Sequence, residues 1–145
     1  MVLEIRSGAF YWLCAVIFLL GLNACESRPK MSELKDSLGK MAEQYWTNRL
    51  IMGDYRKAYD LEIEDGRLPY PDYVKKVKSA GQINFLSIKT KEVNIDKNKG
   101  VVSLLAKHEI LGIPLPKSGK RKALELTITD KWIYTSNGWR HEGRT

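Results

Sequence analysis

The chemistry-bearing residues of this chain gather in its last third, around Asn137-Gly138. Asn-Gly between alternating apolar residues is a strong signal for a tight hairpin. A two-residue turn there pairs Ser136 with Trp139, Tyr134 with His141 and Trp132 with Gly143. An imidazole and a phenol are then expected face to face in an aromatic setting. His141 alone could titrate near neutral pH, but proton transfer also needs an acid or base within reach of the substrate. No partner is evident to orient the imidazole, so ligand capture is expected rather than turnover; the plainer alternative is that His141 bonds only Tyr134 or water.

Asp130 and His108 also fall on apolar faces of neighbouring strands. With the intervening loop centred near Lys117, His108 faces Leu126 and Asp130 faces Leu104. An offset of four residues, at about 3.4 Å each, puts the two beyond hydrogen-bond reach. Each is expected as a lone polar group at a pocket edge or strand end. The pocket candidates are therefore Trp132, Tyr134, His141, Asp130 and His108, with no catalytic residue assigned.

Other chemistries find no residues to carry them. Two histidines without neighbouring cysteines or clustered carboxylates offer no metal site of known spacing, and no cofactor is expected. Gly112-Ile113-Pro114-Leu115-Pro116-Lys117-Ser118 has the outline of a phosphate loop, but proline stands where the second glycine must be. No serine lies in a nucleophile-elbow context. The 145 residues carry a formal charge of +7, which favours anionic surfaces. Lys117, Lys120, Arg121 and Lys122 concentrate part of it on one loop. That loop is either simply solvated or a contact for anionic lipid or an acidic protein.

The elements that must position these groups follow from periodicity. Residues 32–52 read as a helix, with Ser32 as cap and Leu34, Leu38, Met41, Ala42, Tyr45 and Met52 at spacings of three and four, widened by Trp46 and Leu50. Gly53 stops it and Asp54 caps a shorter helix through Leu61. Asp65-Gly66, Pro69 and Pro71 form a turn, and residues 72–79 a third helix. From residue 85 the period becomes two. The first strand, 85–95, changes phase between Ile88 and Val93, which predicts a bulge. A hairpin turn over 96–100 leads to a strand carrying Val102, Leu104, Ala106, His108 and Ile110 on one face. The loop 112–122 leads to a long strand with Leu124, Leu126, Ile128, Asp130, Trp132 and Tyr134 on one face, and a last strand begins at Trp139. Helices followed by a four-stranded antiparallel meander make the class α+β.

The N-terminus carries a different message. An apolar run over 9–22 is short for a membrane span and fits a signal-peptide core. It ends in Leu22-Asn23-Ala24-Cys25, which resembles the lipobox of bacterial lipoproteins. The resemblance implies removal of residues 1–24, lipid (palmitate among its acyl chains) on Cys25, and a polar tether over 25–31. It also implies an extracytoplasmic chain anchored to a membrane, with Glu26 suiting an outer membrane facing the periplasm if the cell has one. Removal takes one acid, Glu4, and one base, Arg6, so the charge stays at +7. Nucleic acid is then no expected partner. Cys14 lies inside the apolar run, so the folded part has no thiol and no disulfide.

Gly53-Asp54-Tyr55-Arg56-Lys57-Ala58-Tyr59, after a long amphipathic helix, resembles the second-helix signature of NTF2-like proteins, and Asn137-Gly138-Trp139-Arg140 their closing hairpin. The resemblance covers residues 32–145. It implies a cystatin-like cone in which N-terminal helices pack on a bent four-stranded sheet around a pocket, as in lumazine-binding-like lipoproteins. The expected function is a cell-envelope lipoprotein that binds a small apolar or aromatic ligand, or a partner protein, without catalysis. The alternatives are an isomerase or dehydratase using His141 and Tyr134, and a structural subunit of an envelope complex.

Overall fold

A computed structural model of the chain describes residues 29–78, 83–112, 114, 119 and 121–143. The lipobox with Cys25, and Lys117 and Lys120 of the basic loop, lie outside them. The domain is the unit Met31–Thr145.

Helix α1 spans Met31–Thr47 and continues into a single wider π turn, Asn48–Met52. The regular α-helix thus stops five residues short of the expected end. The change has a local cause: the Gly53 N–H reaches back to the Asn48 carbonyl, and Gly53 itself is left-handed (φ 67°). Helix α2 is Tyr55–Tyr59, capped by the Asp54 carboxylate accepting from the Lys57 N–H at 3.2 Å. Helix α3, Tyr70–Lys78, begins two residues earlier than expected, since Pro71 fits a first helical turn, where no N–H is needed.

The sheet is a four-stranded antiparallel meander in the order β1 (Ile83–Asp96), β2 (Lys99–Ile110), β3 (Leu124–Thr135) and β4 (Gly138–His141). The bulge falls where the phase change put it: pairing with β2 slips between Thr90 and Glu92, and a second slip lies between Phe85 and Ser87. Helix α1 crosses β1 at the first slip. There Thr90 donates its hydroxyl to the Gly39 carbonyl (3.0 Å) and its N–H to the Glu43 carboxylate (2.6 Å).

The core lies between α1 and the inner faces of the strands. Leu38, Ala42 and Tyr45 from the helix meet Val102, Leu104 and Ala106 of β2, Trp132 of β3 and Trp139 of β4, all essentially buried. Each large aromatic contributes on the order of 3–5 kcal/mol to such a core.

Two registers differ from expectation, each by two residues. On β2–β3, Asp130 faces Val102 and His108 faces Leu124, where Leu104 and Leu126 were the expected partners. On β3–β4, Trp132 pairs with His141, Tyr134 with Trp139 and Thr135 with Gly138. A type I′ turn on Asn137-Gly138 needs positive φ at both residues and a type II′ turn needs it at Asn137, whereas of the two only Gly138 has it (86°). The turn therefore falls on Ser136-Asn137, and Gly138 takes the left-handed position after it, as in a three-residue hairpin. Thr135 Oγ1 fastens this corner, donating to the Gly138 carbonyl at 2.9 Å and accepting from the Asn137 N–H at 3.1 Å.

Candidate functional site

The corrected β3–β4 register decides what His141 meets. Its cross-strand partner is Trp132, and Asp130 stands one step along the same face. On its other side, the chain leaving α2 runs beside β4. The His141 N–H donates to the Leu61 carbonyl (2.8 Å), and the Ile63 N–H donates to the His141 carbonyl (2.9 Å). That parallel rung presents Glu62 to the imidazole. His141 Nδ1 lies 2.9 Å from Glu62 Oε2, and Nε2 lies 2.7 Å from Asp130 Oδ1. All three residues are about 95% buried.

Charges that deep must be satisfied, and these are. Tyr45 donates its hydroxyl to Glu62 Oε1, and Arg49 Nη1 donates to the Tyr45 oxygen. Trp46 Nε1–H donates to Asp130 Oδ2 at 2.8 Å. Arg49 also stands 3.9 Å from Glu62, so two carboxylates face one imidazolium and one guanidinium. The Tyr45 ring stacks on the imidazole at 4.3 Å, and Trp46 and Trp132 meet it edge-on. Burial works against a charge on His141. The hydrogen bonds to Asp130 and Glu62 overcome it and push its pKa up to about 9. Burial likewise raises the Tyr45 phenol, with Arg49 opposing, so that group stays protonated.

Gly143 closes the site from the sheet side. A Cβ there would stand 2.8 Å from Glu62 Oε2, so any side chain would displace the carboxylate.

This network forms one wall of a cavity of about 770 Å³, within the usual range for a small-molecule site. Trp46, Ile63, Leu68, Tyr73 and Ile128 supply apolar wall, and Arg49, Asp65, Arg67 and Lys76 supply charge.

Of the five pocket candidates read from the sequence, Asp130 and His141 line this cavity and meet each other. Trp132 is buried beneath it. Tyr134 does not pair with His141. It lies 40% exposed with its ring edge-on to Trp139, because the turn sits one residue earlier than Asn137-Gly138. His108 lies elsewhere, beside Phe85; as expected it forms no dyad with Asp130. The expectation that His141 lacks an orienting partner is overturned, since both ring nitrogens have one. In the basic loop, Arg121 donates to the Leu111 carbonyl at 3.2 Å and Lys122 is exposed.

Glu62, Arg49, Trp46 and Tyr45 were not singled out as site residues. Arg49 one helical turn beyond Tyr45, on the apolar stripe, was a signal in the sequence; so was an acid between Leu61 and Ile63. Among the described residues no group of three or more His, Cys, Asp or Glu is arranged to hold a metal ion, and no helix is long and apolar enough to cross a membrane.

No family model and no curated protein matches the sequence. Solved structures do match the fold. A protein from Novosphingobium aromaticivorans, described as NTF2-like with a cystatin-like fold, aligns with TM-score 0.53 at 13% identity over 93% of this chain and 86% of its own. A candidate dehydratase of the NTF2-like family from Streptomyces avermitilis aligns with TM-score 0.51 at 12% identity, over 77% of this chain and 93% of its own. An NTF2-like protein involved in plasmid conjugation gives 0.53 at 9%, over 77% and 48%. The domain has the NTF2-like, cystatin-like α+β fold. At these identities the likeness concerns the fold alone.

Proposed function

We propose that this protein is an extracytoplasmic lipoprotein, held to a membrane through lipid on Cys25, whose domain captures a small flat apolar or aromatic molecule without transforming it. The observation that carries the binding reading is the occupancy of His141. Both ring nitrogens face carboxylates, at 2.9 and 2.7 Å, and a pKa of about 9 keeps the ring an imidazolium at neutral pH. An imidazolium with both N–H groups engaged has no lone pair with which to take a proton. The network therefore acts as a rigid, charge-balanced wall against which a ligand can rest. The anchor is supported by the apolar run over 9–22 and by Leu22-Asn23-Ala24-Cys25.

A second reading rests on Asp130. Its carboxylate lines the cavity, and each oxygen spends one hydrogen bond, on His141 and on Trp46. A lone pair remains for a substrate proton, as a dehydratase or isomerase would require.

The test incubates the purified chain with cell extract, identifies what is retained, and follows that compound over time. Retention of an unchanged compound is expected; a transformed one, lost in Asp130→Asn, would establish the enzyme reading instead. Mass spectrometry of the membrane fraction checks the anchor: acyl mass on an N-terminal Cys25 is expected, and an unmodified chain beginning elsewhere would refute it.

A further inference from the structure

Resting on the binding reading above, we infer that the pocket selects ligands bearing a carboxylate, received by Arg49 and Arg67 beside an apolar wall. Glu62 and Asp130 are balanced by His141 and Arg49 within the buried network. Arg67 lines the same cavity, so its wall presents a second guanidinium to an entering anion, which it attracts, and to a cation, which it repels.

Geometry then picks the receiver. The Arg49 guanidinium lies 5.0 Å from the Trp46 ring, 5.4 Å from the Tyr73 ring and 5.7 Å from the Tyr45 ring. Rings on several sides hold it in place and leave its side chain 19% exposed. Its Nη1 is committed to Tyr45, but its buried Nε–H has no hydrogen-bond partner among the described residues. A buried guanidinium N–H without an acceptor is an unmet demand, and a planar carboxylate meets it with matching geometry. Arg67 is also held, 4.4 Å from the Tyr59 ring, with a long 3.5 Å contact from Nη1 to the Tyr59 carbonyl. It lines the same cavity as Arg49, so a held guanidinium adds to the pull on the anion at little ordering cost.

The experiment uses three molecules that share one aromatic body: 2-naphthoate, 2-naphthamide and 2-naphthylmethylammonium. Each is titrated calorimetrically into the full chain in lipid nanodiscs, with empty nanodiscs as blank. Naphthoate is expected to bind about tenfold tighter than naphthamide, and the ammonium weakest. Arg49→Lys keeps the charge and removes the fork. It should cost naphthoate about tenfold while leaving naphthamide within about twofold, which shows the pocket intact. Arg67→Gln should narrow the preference by a smaller factor. Naphthoate and naphthamide binding equally to the wild-type chain would overturn the carboxylate inference and leave the binding reading standing, as would tightest binding of the ammonium. Binding of none of the three would overturn both.

Discussion

Strand β3 carries one alternating face along its length, yet its two halves have different surroundings. In the second half Asp130 and Trp132 are buried against His141, with Tyr45 edge-on to Trp132. In the first half Leu124 and Leu126, on the same face, are 39% and 44% exposed. Each half has a histidine beside it. His141 is held by two carboxylates and stacked on Tyr45. His108, opposite Leu124, has Phe85 as its ring neighbour and finds no partner among the described residues for its buried Nδ1. Periodicity selects a face of a sheet; the helix laid across it selects which part is dry. Where the cover is complete apart from one cavity, charges become expensive and must be organised, and that organisation makes a site.

Replacing the two histidines gives the largest contrast. His141→Ala strands Glu62 and Asp130 in the interior and should cost about 3–5 kcal/mol. His108→Ala, at the open half, should cost about 1 kcal/mol or less. Urea unfolding of both variants measures the difference, and equal losses would erase the distinction between the halves.

The pH dependence is next in size. The folded pKa of His141, about 9, lies above the ordinary 6.5. Its contribution is therefore fully present below pH 6.5 and is lost as pH rises through about 9. The loss should reach at most about 3 kcal/mol. Urea midpoints followed from pH 6 to 10 should show that fall in the wild type, with a much flatter course in His141→Gln. A parallel fall in both would mean that the imidazole is not the titrating group.

The smallest effects belong to residues the register sets outside the site. Tyr134→Phe should change stability by less than about 0.5 kcal/mol and leave naphthoate affinity unaltered, since Tyr134 lies at the exposed end of β3. A clear loss of affinity would restore the Tyr134–His141 pairing that the turn argues against.

The order of elements, the first bulge of β1, the Asp54 cap and the shared even face of β3 were legible in the sequence, because each depends on local periodicity or one capping residue. Asp130 and His141 were legible as polar groups on an apolar face. Their meeting was not, since it hangs on a two-residue register that Asn137-Gly138 describes ambiguously: the same dipeptide serves a primed turn or a turn followed by a left-handed glycine. Glu62 was hidden for another reason. It lies 79 positions from His141, and no periodic pattern links a loop after a short helix to a strand at the far end of the chain.

That long-range rung also governs time. The hairpins β1–β2 and β3–β4 close short loops and can zip early, while the segment Leu61-Glu62-Ile63 finds β4 only after most of the chain is ordered, at a loop-closure entropy that grows with the separation. The two backbone bonds between Leu61, Ile63 and His141 should therefore form late in refolding. In native-state hydrogen exchange their amides should open more readily than those at the centre of β2, and slow when the cavity is filled. The same rung that aligns the carboxylates is then a clock hand, and its exchange rate reads occupancy of the pocket from the backbone.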